Sequence, residues 1–182
     1  MRKTLIRFFT IADFEEEERW LSKKHSEGWK IVKVIPPCFY TFEQCEPDDV
    51  IYKLDFKDSE QTPDYMQMLS DFGWEYFASC LGWLYFRKRA SGIQTEEDGE
   101  LFSDSESKTE FVTKIVKTRM LPLTLIFFCC ILPNLSRYLG GTVPGPAGRV
   151  FTIFFAVMFF IYVFLIVYCG IKLRKIKKKY SK

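Results

Sequence analysis

The chain predicts an α+β fold in which a duplicated β-α-β-β unit forms one antiparallel sheet with two helices on one face, followed by a two-helix transmembrane hairpin. Two observations carry this. Residues match one another at a constant offset of 45, as Gly28 and Trp29 do with Gly73 and Trp74. Residues 150–171 (VFTIFFAVMFFIYVFLIVYCGI) then run without a charged side chain and close on a basic tail, KLRKIKKKYSK.

Each half of the repeat shows the same order of signals. Residues 5–11 form an apolar strand, and residues 14–27 have helical spacing through Trp20 and Leu21, which Gly28 ends as a permissive C-terminal cap. Trp29–Ile35 alternates, Pro36-Pro37 turns, and residues 38–42 return. The second half repeats this with a strand over 50–56 and a helix over 63–72 that Pro63 can open. Strands over 74–80 and 83–88 follow, joined at Leu81-Gly82. Without a gap, Ile6 meets Ile51, Asp13 meets Asp58, Glu15 meets Glu60 and Tyr40 meets Tyr85. Ninety residues suffice for one modest core.

The domain plan is a cytosolic module over 1–89, an acidic linker and juxtamembrane helix over 90–119, the hairpin over 120–173 and a basic tail over 174–182. In the linker, Ser103 with Glu106 and Ser107 with Glu110 each have capping-box spacing for a helix start. A helix rises about 1.5 Å per residue, so 150–171 spans roughly 30 Å, the thickness of a bilayer's apolar core. Residues 120–139 form a weaker apolar stretch, in which Pro133 should kink the helix or end it. Cations cluster before the first stretch and after the second, while only Arg137 and Arg149 flank the intervening turn. The expectation is a two-pass protein of the cell membrane with both termini cytoplasmic.

Net charge is +3, but it divides unevenly: residues 1–90 carry 13 basic and 16 acidic groups, 91–110 carry 1 and 7, and 111–182 carry 12 and 0. The folded module is therefore mildly acidic, which argues against nucleic-acid binding. The basic tail suits an anionic lipid surface.

Catalytic chemistry is not legible. His25, the single histidine, reads as a solvated side chain on the polar side of the first helix. The six cysteines show neither a C-x-x-C nor a His-Cys metal spacing. Glu15 to Glu18 suit the helix dipole better than a cation. Neither a cofactor nor a metal is expected. A concave pocket lined by polar groups such as Asp55, Asp58, Glu60 and Arg87 would instead point to an enzyme. The aromatics are more suggestive. Most must be core, but Trp29, Tyr40, Trp74 and Tyr85 recur in both halves and are the candidate ligand or partner residues, in a groove or on an open sheet face.

The chain resembles the DUF2812 family. The resemblance lies in residues 13–21 (DFEEEERWL), Gly28-Trp29, Tyr40-Thr41-Phe42, Glu46 to Asp49, Tyr52 with Leu54 to Phe56, Gly73 to Glu75, and Gly82-Trp83 through Phe86 to Lys88, and covers residues 4 to about 110. It implies a bacterial, membrane-associated domain whose gene often neighbours a PadR-like regulator, and it implies neither an activity nor site residues. Duplicated folds of the gyrase-inhibitor-like kind bind small amphipathic molecules between their repeats, an analogy at the level of fold alone. The expected function is a non-enzymatic, membrane-tethered sensing or protein-interaction module. Its partners would be the bilayer and a small amphipathic ligand or a protein. The alternative is a structural or accessory subunit of a larger membrane complex.

Overall fold

The computed structural model describes residues 1–56, 63–93, 95, 97–101, 105–141 and 145–180. They fall into two compact units, one built on Met1–Phe111 and one on Val112–Lys179.

The first unit holds β1 (Arg2–Ile6), α1 (Phe14–Ser26), β2 (Trp29–Ile35), β3 (Phe39–Gln44), β4 (Val50–Phe56), α2 (Pro63–Asp71), β5 (Glu75–Cys80) and β6 (Trp83–Arg89). These strands make two three-stranded antiparallel sheets, β1-β3-β2 and β4-β6-β5, rather than the single sheet expected. Edge strands β2 and β5 lie beside each other, but no ladder joins them. The register of each slips against its partner, between Ile31 and Lys33 in β2 and between Tyr76 and Ala78 in β5. A bulge bends a strand and increases its twist, which takes these two edges out of pairing geometry. Both slips, and the positive φ of Gly28 (83°) and Gly73 (81°), fall at the 45-residue offset.

The first strand is displaced from its expected position. It ends at Ile6 because its partner ends: the ladder runs from Arg2↔Glu43 to Ile6↔Phe39, and Arg7 N–H donates to the Cys38 carbonyl at the turn (2.9 Å). The apolar residues beyond therefore leave the sheet, and Phe9 packs edge-on against Tyr40.

Nor do the helices share a face. Along β6, alternate side chains point to opposite sides of the sheet. Leu84 and Phe86 join Leu69 of α2 and Trp74 in one core cluster, whereas Tyr85 reaches Glu17 of α1 on the other side. The second sheet is thus held between α2 and the helix of the first half.

The inward face of α1 buries Phe14, Glu17, Glu18, Leu21 and His25, a helical stripe of which three members are ionisable. What it covers explains the polarity. Among the described residues strand β4 pairs only with β6, so one row of its backbone N–H groups lacks a ladder there. Glu18 Oε1 accepts from Leu54 N–H (2.9 Å) and Ser22 Oγ from Tyr52 N–H (3.2 Å). An exposed strand edge invites pairing with another chain, and here helix side chains close it.

The second unit continues α3 (Ser105–Ile115), whose first residues belong to the sheet unit, through a π turn (Val116–Met120), α4 (Leu121–Ile126), a second π turn (Phe127–Ile131) and α5 (Leu132–Leu139). The start at Ser105 puts Ser107 inside the helix rather than at its cap, and Ser103 lies outside the described residues. Each π turn precedes a proline, Pro122 or Pro133, placed in the first turn of the next segment. Proline removes an N–H and crowds the carbonyl four residues back, and a π turn relieves both by widening the spiral locally. Thr124 and Asn134 side chains donate to the carbonyls of Met120 and Cys130 (2.8 Å each). Pro133 therefore does not end the helix. Helix α6 (Pro146–Tyr180) runs antiparallel beside it, with Tyr138 stacked on Phe151 and Phe155 and Phe127 against Phe159. Both helices are long and apolar enough to cross a membrane.

Candidate functional site

Two polar constellations lie along the inner face of α1. Near its start, Glu17 is buried and its Oε1 accepts two phenolic hydrogen bonds, from Tyr40 (2.8 Å) and Tyr85 (2.9 Å). The donors occupy corresponding positions in β3 and β6, so each half of the module contributes one tyrosine to one carboxylate. Burial raises the Glu17 pKa against the lowering effect of its donors, and burial with the adjacent carboxylate raises both tyrosines. The node is packed with rings: Trp20 meets Tyr40 edge-on (5.0 Å), and Phe77 lies 5.9 Å from Tyr85. Its position is structural, a tie between the halves.

The second constellation opens to solvent. A cleft of about 1090 Å³ is lined by His25, Lys30, residues 45–48, Val50, residues 71–73, Glu75, residues 87–89, Ser91 and Gly92. It lies where α1, β2 and the β3–β4 connection of the first half meet α2, β5 and β6 of the second. Gly28 and Gly73 both close helices near it in a left-handed conformation, which lets the chain reverse tightly.

A chain of hydrogen bonds forms its floor. Arg87 grips Glu75 with two nitrogens, the Nε bond being 2.7 Å, and its charge acts on the Tyr52 phenol. Tyr52 lies 2.8 Å from His25 Nδ1. Burial lifts the Tyr52 phenol to about 12, so it stays protonated. Burial, with the charge of Arg87, holds His25 below its usual range, so the imidazole is neutral at pH 7. Arg87 has only donors, so Tyr52 faces its charge with a lone pair, while which of Tyr52 and His25 Nδ1 donates in the bond between them follows the imidazole tautomer. Glu75 is held below the ordinary carboxylate range by the hydrogen bond from Arg87. On the rim Arg89 pairs with Asp48 (3.3 Å).

His25 is therefore buried, not solvated, and the reason is the polar stripe on α1 that hydrophobic spacing could not reveal. Of the four aromatic candidates, Tyr40 and Tyr85 come together on Glu17, while the tryptophans stand apart from them. Trp74 belongs to the α2 core, and Trp29 is half-buried beneath Lys3 Nζ, 3.4 Å from the ring centre. None of the four lines the cleft. Of the polar groups that would mark an enzyme pocket, Arg87 lies in the cleft. Asp55 is instead buried against α2, accepting from Tyr65, and Asp58 and Glu60 lie outside the described residues. Among the described residues, no group of three His, Cys, Asp or Glu side chains is placed to hold a metal ion.

The family model described as "Protein of unknown function (DUF2812)" matches residues 13–126, more than half of the 182 residues. The chain belongs to the DUF2812 family. No curated protein and no solved structure matches it. The DUF2812 match begins just before α1 and reaches the end of α4, so it leaves out β1, which the resemblance over residues 4 to about 110 included, and extends past that resemblance into the first part of the apolar helix.

Proposed function

We propose that this DUF2812 protein is a non-enzymatic recognition module, tethered to the inner face of the cell membrane, whose polar cleft binds a charged segment of a protein partner. The observation that carries the reading is the cleft itself: both halves of the module supply its walls, and charges of both signs, Lys30, Asp48, Asp71 and Arg89 among them, stand around it. Binding is favoured over catalysis because the polar groups of the floor are engaged with one another. Arg87 is held by Glu75, and His25 Nδ1 is bonded to Tyr52.

Internal duplication supports a cleft of this kind. The common strand order, the matched register slips and the paired glycines all recur at one offset, as two copies of one unit would require. Tethering is supported by the two apolar helices and by the cations that flank them, which favour a two-pass hairpin with cytoplasmic termini.

Phe72 provides the test, since it lines the cleft yet is 65% exposed. A photo-crosslinking phenylalanine analogue placed there in the full-length protein should capture a defined partner in cells, and Lys30→Glu with Arg89→Glu should abolish capture. Crosslinks that form only from Phe154, exposed on α6, would favour the accessory-subunit reading instead. A PadR-like regulator is the first partner to look for among the products.

A further inference from the structure

The second unit contains a cavity of about 380 Å³ between the first long helix and α6, at the end where the basic tail begins. Its wall on one side is Val112, Val116 and Met120, and on the other Ile166, Gly170 and Leu173, with Arg174 and Lys177 at one end. Among the described residues, no carboxylate lines it. Two features keep the helices from closing on it. The π turn at Val116–Met120 interrupts the regular surface of one helix. On the other, a side-chain carbon built at Gly170 would meet nothing within 4 Å, so this glycine leaves open space instead of bringing backbones together.

We propose that this cavity is a binding site for one anionic phospholipid, with an acyl chain against the apolar walls and the phosphate on Arg174 and Lys177. Apolar walls that end in two cations match the two parts of such a molecule. Basic pockets between membrane helices on the cytoplasmic side take acidic headgroups in this way. The volume lies within the range of ordinary ligand sites. The site rests on the two-pass reading above.

The test uses the full-length protein purified in a neutral detergent, supplied with phosphatidylglycerol or phosphatidylcholine and examined by native mass spectrometry. One phosphatidylglycerol should be retained, at least tenfold in preference to phosphatidylcholine. Arg174→Gln with Lys177→Gln should remove that preference, while Lys175→Gln with Lys178→Gln, which deletes the same charge outside the cavity, should keep it. Gly170→Leu should fill the space and expel the lipid with the sheet unit still folded. Equal loss in both charge-deleted pairs, retention in Gly170→Leu, or displacement by millimolar inorganic phosphate would overturn the proposal. A protein soluble without detergent would instead overturn the membrane reading on which it rests.

Discussion

Removing the hydroxyl of Tyr85 tests how the halves are joined. In Tyr85→Phe the buried Glu17 carboxylate loses one of its two phenolic donors and keeps Tyr40. Hydrogen bonds to charged groups contribute about 1.5–3 kcal/mol, so either Tyr85→Phe or Tyr40→Phe should cost roughly that much. The double variant should cost more than the sum, by about 1 kcal/mol or more, because Glu17 is then buried without either phenol. Adding Glu17→Leu should recover much of the loss, since removing both partners is far cheaper than stranding one. Urea unfolding of the full chain in mild detergent measures this cleanly. All four tryptophans, Trp20, Trp29, Trp74 and Trp83, lie in the sheet unit, so their emission reports that unit alone. Single variants within 0.5 kcal/mol of the parent, or a strictly additive double, would refute the tie.

Other expectations follow from the same geometry. Glu18 is buried, and burial raises its pKa to about 7, opposed by Lys53 at 3.5 Å. An acid whose folded pKa lies above its unfolded value binds more protons when folded. Its contribution to stability is intact below about pH 4.5 and is lost progressively as pH rises to about 7, a total of about 3 kcal/mol. Glu18→Gln keeps an acceptor for Leu54 N–H and should flatten that part of the stability profile, measured by urea unfolding from pH 4.5 to 8; an unchanged slope would contradict the assignment. Gly28→Ala should destabilise more than Gly73→Ala: both glycines have positive φ, costing about 1–2 kcal/mol for a side chain, but only at Gly28 would the new carbon press on a backbone oxygen, Cys45 O at 3.1 Å. Equal midpoints for the two variants would argue against the close approach. Tyr52→Phe should remove the partner of His25 Nδ1, read as a change in the ring-nitrogen NMR shifts, whereas unaltered shifts would show that the bond is not made.

Much of the local structure was legible because it depends on short-range signals. Strands β2 and β4 run over the residues their side chains announce, and Gly28 and Pro63 mark helix ends by backbone preference alone. The two-sheet arrangement was not legible, because the bulges at Ile31/Lys33 and Tyr76/Ala78 depend on which strand pairs with which. Nor was the role of α1. A helix whose inward face carries Glu17, Glu18 and His25 looks solvated until the strand edge and the tyrosines that satisfy those groups are in place. The recurrence of Tyr40 and Tyr85 singled them out as ligand or partner residues, and the structure brings both phenols to Glu17, outside the cleft. The tryptophans recurred equally and serve packing, since nothing in a repeat distinguishes a shared core position from a shared site.

The central claim, a cytosolic recognition cleft held at the membrane by two crossing helices, is tested most directly by labelling intact cells with a membrane-impermeant maleimide. Two single-cysteine variants suffice: one keeps Cys45 in the cleft, and the other carries Ala147→Cys in the exposed first turn of α6. The account predicts labelling of position 147 from outside and of Cys45 only after the cells are permeabilised. Labelling of Cys45 in intact cells, or protection of both positions, would contradict it.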